Sequence, residues 1–185
     1  LAGSIRPHAK KALEVIASLH SGGKSTVIGC RRKTSIDKAA FLNGLFGSSA
    51  PQFDDAFKES IGHPGVGTHP AVLVVGEQER VTGKDMLVAI VAGYEAAMRI
   101  GAAVGRGAFN RGWHPRGGCN VFASATASAK LLGLSGTEMY CAALGLAGNK
   151  AAGLTAATYF YDAWYTLSGN ASEDGVMAPM LARAG

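Results

Sequence analysis

The chain has 185 residues, of which 48% are hydrophobic and 17% charged, with a formal net charge of +5. This length supports one substantial core, and the apolar fraction excludes a disordered chain. The densest basic cluster, Arg31-Arg32-Lys33, has no interleaved aromatics and reads as a solvated turn, so nucleic acid is not an expected partner and a small anion fits the charge better.

In chain order, residues 6–20 read as a helix, with Pro7 in the first turn, Leu13, Ile16 and Ala17 on one face, and Gly22-Gly23 as the stop. Residues 25–30 form a β-prone run, read as an isolated strand or extended link. Thr34 with Asp37 caps a helix over residues 36–46. Residues 47–69 are a long polar break, in which residues 54–61 have the composition of a helical turn; breaks of this length inside a compact domain are usually functional. Residues 70–76 are apolar and, among helical neighbours, read as helix. Thr82 with Asp85 caps a helix running to about residue 104. Gly101 and Gly105, four apart, allow a second helix to come close. Residues 106–115 are a second break. A small-residue helix follows over residues 117–133, then a Ser135-Gly136-Thr137-Glu138 capping box opening a helix to Gly148 or Gly153. After an aromatic stretch, residues 171–184 form a last helix with Pro179 inside it.

Cys30, Cys119 and Cys141 are odd in number and lack CxxC spacing, so neither a zinc site nor a disulfide framework is expected; a reducing, cytoplasmic setting is. Glu95 and Arg99 interrupt the most apolar window, residues 86–104, against a membrane span, and no signal peptide is visible. The first residue is Leu1 rather than Met, which points to a segment upstream.

The polar chemistry concentrates in the two breaks. The first holds Asp54-Asp55, His63-Pro64 and His69-Pro70; the second ends in Gly112-Trp113-His114-Pro115. Helices of small residues supporting His- and Asp-bearing loops are the layout of a loop-borne active site. Histidine serves proton transfer near neutral pH with little tuning. The plainer alternative for Asp54 and Asp55 is a helix cap or turn closure.

Several pieces occur in one order along the chain: LAGS, TVIG, AAFLNGLFG, FDD, a HP…THPA segment, GKDMLVAIVAGYEAAMRIGAAVG, GWHPRGG, AKLLGLSGTEMYCAALGLAG and GNASEDGVMAPMLARAG. Together they resemble the MmgE/PrpD family, which includes 2-methylcitrate dehydratases, cis-aconitate decarboxylases and iminodisuccinate epimerases. The resemblance implies an all-α helical bundle over residues 1–185 with at most one or two short strands, corresponding to an N-terminal part of the family's helical domain, without its smaller α/β domain. It also implies a homodimer, no metal or redox cofactor, and a small di- or tricarboxylate substrate that loses water or CO2 or moves a proton next to a carboxylate.

By the same resemblance, His69 and His114 match the family's acid/base or substrate-orienting histidines, Asp54 and Asp55 match its FDD signature as carboxylates that orient a histidine or the substrate, and His63, in the same loop as His69, is a substrate-binding candidate. Arg116, Asn149 and Lys150 stand where relatives carry small polar groups and are candidates to hold substrate carboxylates. Three departures are evident. Gln52 replaces a frequent Asp, Ala56 replaces a frequent Thr, and Trp164-Tyr165-Thr166-Leu167 stands where many relatives have Lys-Pro-x-His; Lys150 is a candidate replacement for that lysine. The expected function is therefore a cofactor-independent lyase or isomerase. The alternative is a non-catalytic helical module that works by dimerising or by pairing with a second subunit.

Overall fold

Small residues decide how the helices meet. A computed structural model describes residues 1–20, 22–49, 55–159 and 161–185. Its elements are α1 (Pro7–Leu19), the strands β1 (Ser25–Val27) and β2 (Arg32–Thr34), α2 (Ile36–Ser48), α3 (Gly65–Glu79), α4 (Gly83–Asn110), the single turn α5 (Pro115–Gly118), α6 (Asn120–Leu131), α7 (Thr137–Gly148), two 3-10 turns (Thr155–Thr158 and Tyr161–Trp164) and α8 (Tyr165–Ala184). Apart from the β1–β2 hairpin, the described chain is all-α.

Helix α6 is central. Ala123, Ser124, Ala125, Ala127, Ser128 and Ala129 are all 0% exposed, so it is buried on nearly every side. It packs on α3, α4, α7 and α8, and α8 in turn lies against α2, α3, α5 and α7. Backbones approach closely at these crossings. A Cβ on Gly175 of α8 would lie 2.2 Å from Ser124 Cβ, and one on Gly67 of α3 would lie 2.6 Å from Asn120 Cβ. The largest apolar cluster joins Leu42, Leu45 and Phe46 of α2 to Val72, Val74 and Val75 of α3 and Val176 of α8.

The N-terminal half of α3 is held by buried polar bonds. The Gly67 carbonyl accepts the hydroxyls of Ser124 (2.9 Å) and Ser172 (3.1 Å), and Thr68 Oγ1 donates to the Pro64 carbonyl at 2.8 Å. Asn120 Nδ2 donates to the His63 carbonyl at 2.9 Å. At the other end of α3, Glu77 accepts Thr26 N–H, Thr26 Oγ1 and Lys33 Nζ, each at 2.7 Å. Asn43 of α2 completes that edge, accepting Ile28 N–H and donating to the Thr26 carbonyl. Helix α1 is attached through His8, which stacks on Tyr165 at 4.2 Å and lies 2.7 Å from Ser49 Oγ.

Several sequence expectations are corrected. The run at residues 25–30 is one arm of an antiparallel hairpin pairing Ser25 with Thr34, because Lys33 and Thr26 share Glu77. The long break ends at Gly65, so His69 and Pro70 lie inside α3. The helical-turn reading of residues 54–61 fails where the chain is described: Phe57 bridges Gly62 in a tight antiparallel turn with Ile61 at φ 53°. Helix α4 runs past residue 104 to Asn110 across a bend at Gly105 (φ 62°, ψ −171°). At Gly101, Ser60 of the preceding loop makes the close approach rather than another helix. The helix expected over residues 117–133 is split at Cys119 into α5 and α6, and α8 starts at Tyr165, not residue 171. The Thr82–Asp85 capping box forms, but that at Ser135 does not: Gly136 is the N-cap, with no side-chain cap bond.

By length and composition α4 is the one described helix apolar enough to cross a membrane, and Leu87 (66%) and Val91 (63%) on it are exposed. The Glu95–Arg99 pair lies midway along it at 2.7 Å.

The tight α6–α8 crossing generates a prediction. Gly175→Ala should destabilise the fold by about 1–3 kcal/mol, because the added methyl meets backbone as well as Ser124. At about 2–4 °C per kcal/mol, thermal melting would show a clear drop in Tm; an unchanged Tm would mean that the crossing has slack.

Candidate active site

The second break folds as a strut. The Trp113 N–H donates to the Ala108 carbonyl, closing the end of α4, and Trp113 bridges Leu154. His114 N–H donates to the Gly153 carbonyl at 3.0 Å, and Thr155 N–H to the Gly112 carbonyl at 2.8 Å. The segment after α7 therefore runs along the His114 segment and fixes its backbone. Pro115 then starts α5, with His114 as the N-cap.

His114 is half-buried, and its Nδ1 accepts the Arg116 N–H at 3.1 Å. A backbone amide can only donate, so in the neutral ring the proton sits on Nε2. Burial first, then the charges of Arg116 and His63, push the His114 imidazole down from 6.5 to about 4. Near neutral pH this group is thus an uncharged Nε2–H donor.

His63 has the opposite tautomer. Its Nδ1 lies 2.8 Å from the Asp55 carbonyl, which can only accept, so the neutral ring carries its proton on Nδ1 and has an acceptor Nε2. Asp55 has a second contact: its Oδ1 accepts the Gly65 N–H at 3.2 Å, at the start of α3. The carboxylate therefore closes the helix start, the plainer reading from sequence, and only the main-chain carbonyl of Asp55 meets His63. Asp54 lies outside the described residues, as does Gln52.

Asp55 thus meets His63 and Arg116 meets His114, with the two pairs near enough for the His63 charge to act on His114, and His69 is placed elsewhere. His69 is exposed on α3, with Nε2 3.5 Å from Tyr94 Oη, at the outer limit of a hydrogen bond. It lines a cavity of about 280 Å³ with Asn43, Phe46 and Leu73, whereas His114 lines a different one of about 200 Å³. Arg116 is 4% exposed; its guanidinium lies 4.8 Å over the Trp164 ring and donates to Ser48 Oγ at 3.3 Å. It braces α5 against α2 and the start of α8, a positioning role rather than that of an open carboxylate-binding cation. Asn149 is the exposed C-cap of α7, and Lys150 Nζ lies 3.7 Å from Asp174 Oδ1. Both stand next to Ala151, which lines the His114 cavity.

Sequence reasoning missed Asn120, Ser48 and Trp164 as supports of this site. Asn120 had a usable signal, an amide at the head of an otherwise small and apolar helix. Ser48 and Trp164 had none, since their contacts come from elements far apart in sequence.

The two tautomers make a titration prediction. The folded-state pKa of His114 is depressed, so its contribution to stability is fully present above about pH 6.5 and is lost as pH falls toward 4. NMR titration of the His114 ring should give a midpoint near 4, and His63→Gln should raise it. A midpoint near 6.5 would remove the neutral-donor assignment.

Comparison with known proteins shows the family. The MmgE/PrpD N-terminal domain matches residues 1–185. The cis-aconitate decarboxylase-like protein oryM of Aspergillus oryzae is 34% identical to this chain over all of its length. The cis-aconitate decarboxylase of Aspergillus terreus is 33% identical over 99% of it. The chain spans only 40% and 38% of these two relatives, respectively. Matched from its first residue to its last, the chain belongs to the MmgE/PrpD family, in its N-terminal domain.

Proposed function

We propose that this chain forms part of a cofactor-independent lyase or isomerase acting on a small di- or tricarboxylate, with decarboxylation of a cis-aconitate-like acid as the leading reaction. The observation that carries this reading is the His114 tautomer, a neutral Nε2–H donor held in place by the Arg116 amide. The names of the relatives support decarboxylation over water loss or epimerisation.

In such a reaction the bond from the chain to the departing carboxylate carbon breaks and CO2 leaves. The electron pair spreads into the neighbouring unsaturated carboxylate, and one proton is then added to carbon. An uncharged N–H donor suits the first part, because it stabilises developing negative charge without a net charge that would bind the starting acid equally well. His69, the family-matched histidine on α3, lines a separate cavity, so assigning it the proton delivery requires that cavity to meet the His114 chamber in the full-length protein. Asp55 positions His63, whose charge acts on His114, and Asn149 and Lys150 are assigned a substrate carboxylate at the rim near Ala151, with Lys150 turning from Asp174. The protein is proposed to act as a homodimer.

A second reading, a non-catalytic helical subunit, is favoured by one observation, the exposed apolar face at Leu87, Val88 and Val91. It would give a stable oligomer in light scattering and no turnover of any carboxylate.

His69→Ala and His114→Ala should each lower turnover by about two to four orders of magnitude, with Tm little changed. Rates like the wild type in both variants would dismiss the enzymatic reading.

A further inference from the structure

Helix α1, the β1–β2 hairpin and α2 enclose a cavity of about 240 Å³. None of its lining residues bounds the cavity of His114, which Phe109, Trp113 and Gly118 help to line, or that of His69. Its floor is apolar: Leu13, Ile16 and Ala17 come from α1, Val27 from β1 and Leu42 from α2. A shared wall separates it from the His69 cavity, with Val27 and Leu42 on this side and their chain neighbours Ile28 and Asn43 on the other.

The rim is polar and cationic. Arg32 lines it from an exposed position that the hairpin register sets opposite Val27. Lys33 is engaged by Glu77 at 2.7 Å, but Arg32 has no acidic partner among the described residues. His20, the C-cap of α1, adds an imidazole to the rim. Thr34 also lines the cavity; it is 6% exposed, and its hydroxyl has no hydrogen-bond partner among the described residues. Buried polar groups are normally paired, and a ligand oxygen would supply what this hydroxyl lacks.

Charge and size narrow the occupant. One guanidinium and one imidazole balance a single negative charge, and the guanidinium fork matches the two oxygens of a carboxylate. A phosphate dianion would call for more donors. A protein cavity of roughly 150 Å³ lined by apolar side chains takes up benzene, so this one has room for a head group and about six carbons.

We propose that this cavity binds a small amphiphilic monocarboxylate, its head between Arg32 and His20 and its alkyl chain on the floor between α1 and α2, at a site separate from the candidate active site.

The test is isothermal titration calorimetry of acetate, butyrate, hexanoate and hexyl phosphate into the full-length protein, as wild type, Arg32→Gln and Ala17→Leu. Affinity should rise from acetate to hexanoate by up to about fourfold per buried methylene. Arg32→Gln should weaken hexanoate by about tenfold, the loss of a charge-assisted hydrogen bond, and leave Tm unchanged. Ala17→Leu, which fills part of the floor, should weaken hexanoate more than acetate. Equal affinity for acetate and hexanoate overturns the proposal, as does hexanoate binding that Arg32→Gln leaves intact. Hexyl phosphate binding more tightly than hexanoate overturns the carboxylate head. Should Ala17→Leu fail to fold, Arg32→Gln and the chain-length series decide. Binding, not turnover, is measured, so the outcome is independent of the enzymatic reading.

Discussion

The position of the candidate site depends on one carbonyl. Gly67 sits three residues before Pro70, which cannot donate to the carbonyl four residues back, that of Val66, in the same turn of α3. The Gly67 oxygen is met by hydroxyls from two other helices, Ser124 of α6 and Ser172 of α8. Because Gly67 and Gly175 lack side chains, the three backbones come close enough for these bonds to form. The N-terminus of α3 is thereby fixed, and with it the loop that carries Asp55 and His63. Buried hydroxyls with satisfied partners specify one arrangement of packed helices where alanine alone would tolerate several.

His114 and His63 owe their tautomers to main-chain groups, an amide for His114 and a carbonyl for His63. Their polarity is consequently set by backbone geometry and survives changes in most neighbouring side chains. Arg116 contributes through both its parts: the amide holds Nδ1 of His114, and the guanidinium, packed on Trp164, keeps the short α5 turn from shifting. Trp164 is therefore integrated into the support of the site.

Much of the fold was legible from residue patterns. The Thr82–Asp85 cap, the helix at residues 36–46 and the small-residue stretch at Ala123–Ala129 rest on local chemistry, and each is found. The start of α3 was not legible, because Pro64, Gly65, Gly67 and Pro70 are all helix breakers in isolation; the bonds that overrule them come from Asn120, Ser124 and Ser172, 57 to 105 residues away. The second strand was missed for the same kind of reason, since Lys33 reads as a solvated charge until Glu77 is seen beside it. Of the site, Asp55, His63, His114 and Arg116 were identifiable as types. What sequence could not convey was the burial of Arg116, or that His69 and His114 line different cavities.

Gly117 and Gly118 are neighbours in sequence with opposite latitude for change. A Cβ on Gly117 would fall 1.8 Å from the Ala152 carbonyl oxygen, where the segment after α7 presses against the His114 strut. One residue on, Gly118 faces empty space. Natural variation is therefore closed at the first position unless the opposing segment moves with it, and open at the second to almost any side chain. A lineage with this scaffold could alter the shape of the chamber beside His114 in a single step while leaving the imidazole where it is, so that new preferences can arise without passing through a misfolded intermediate.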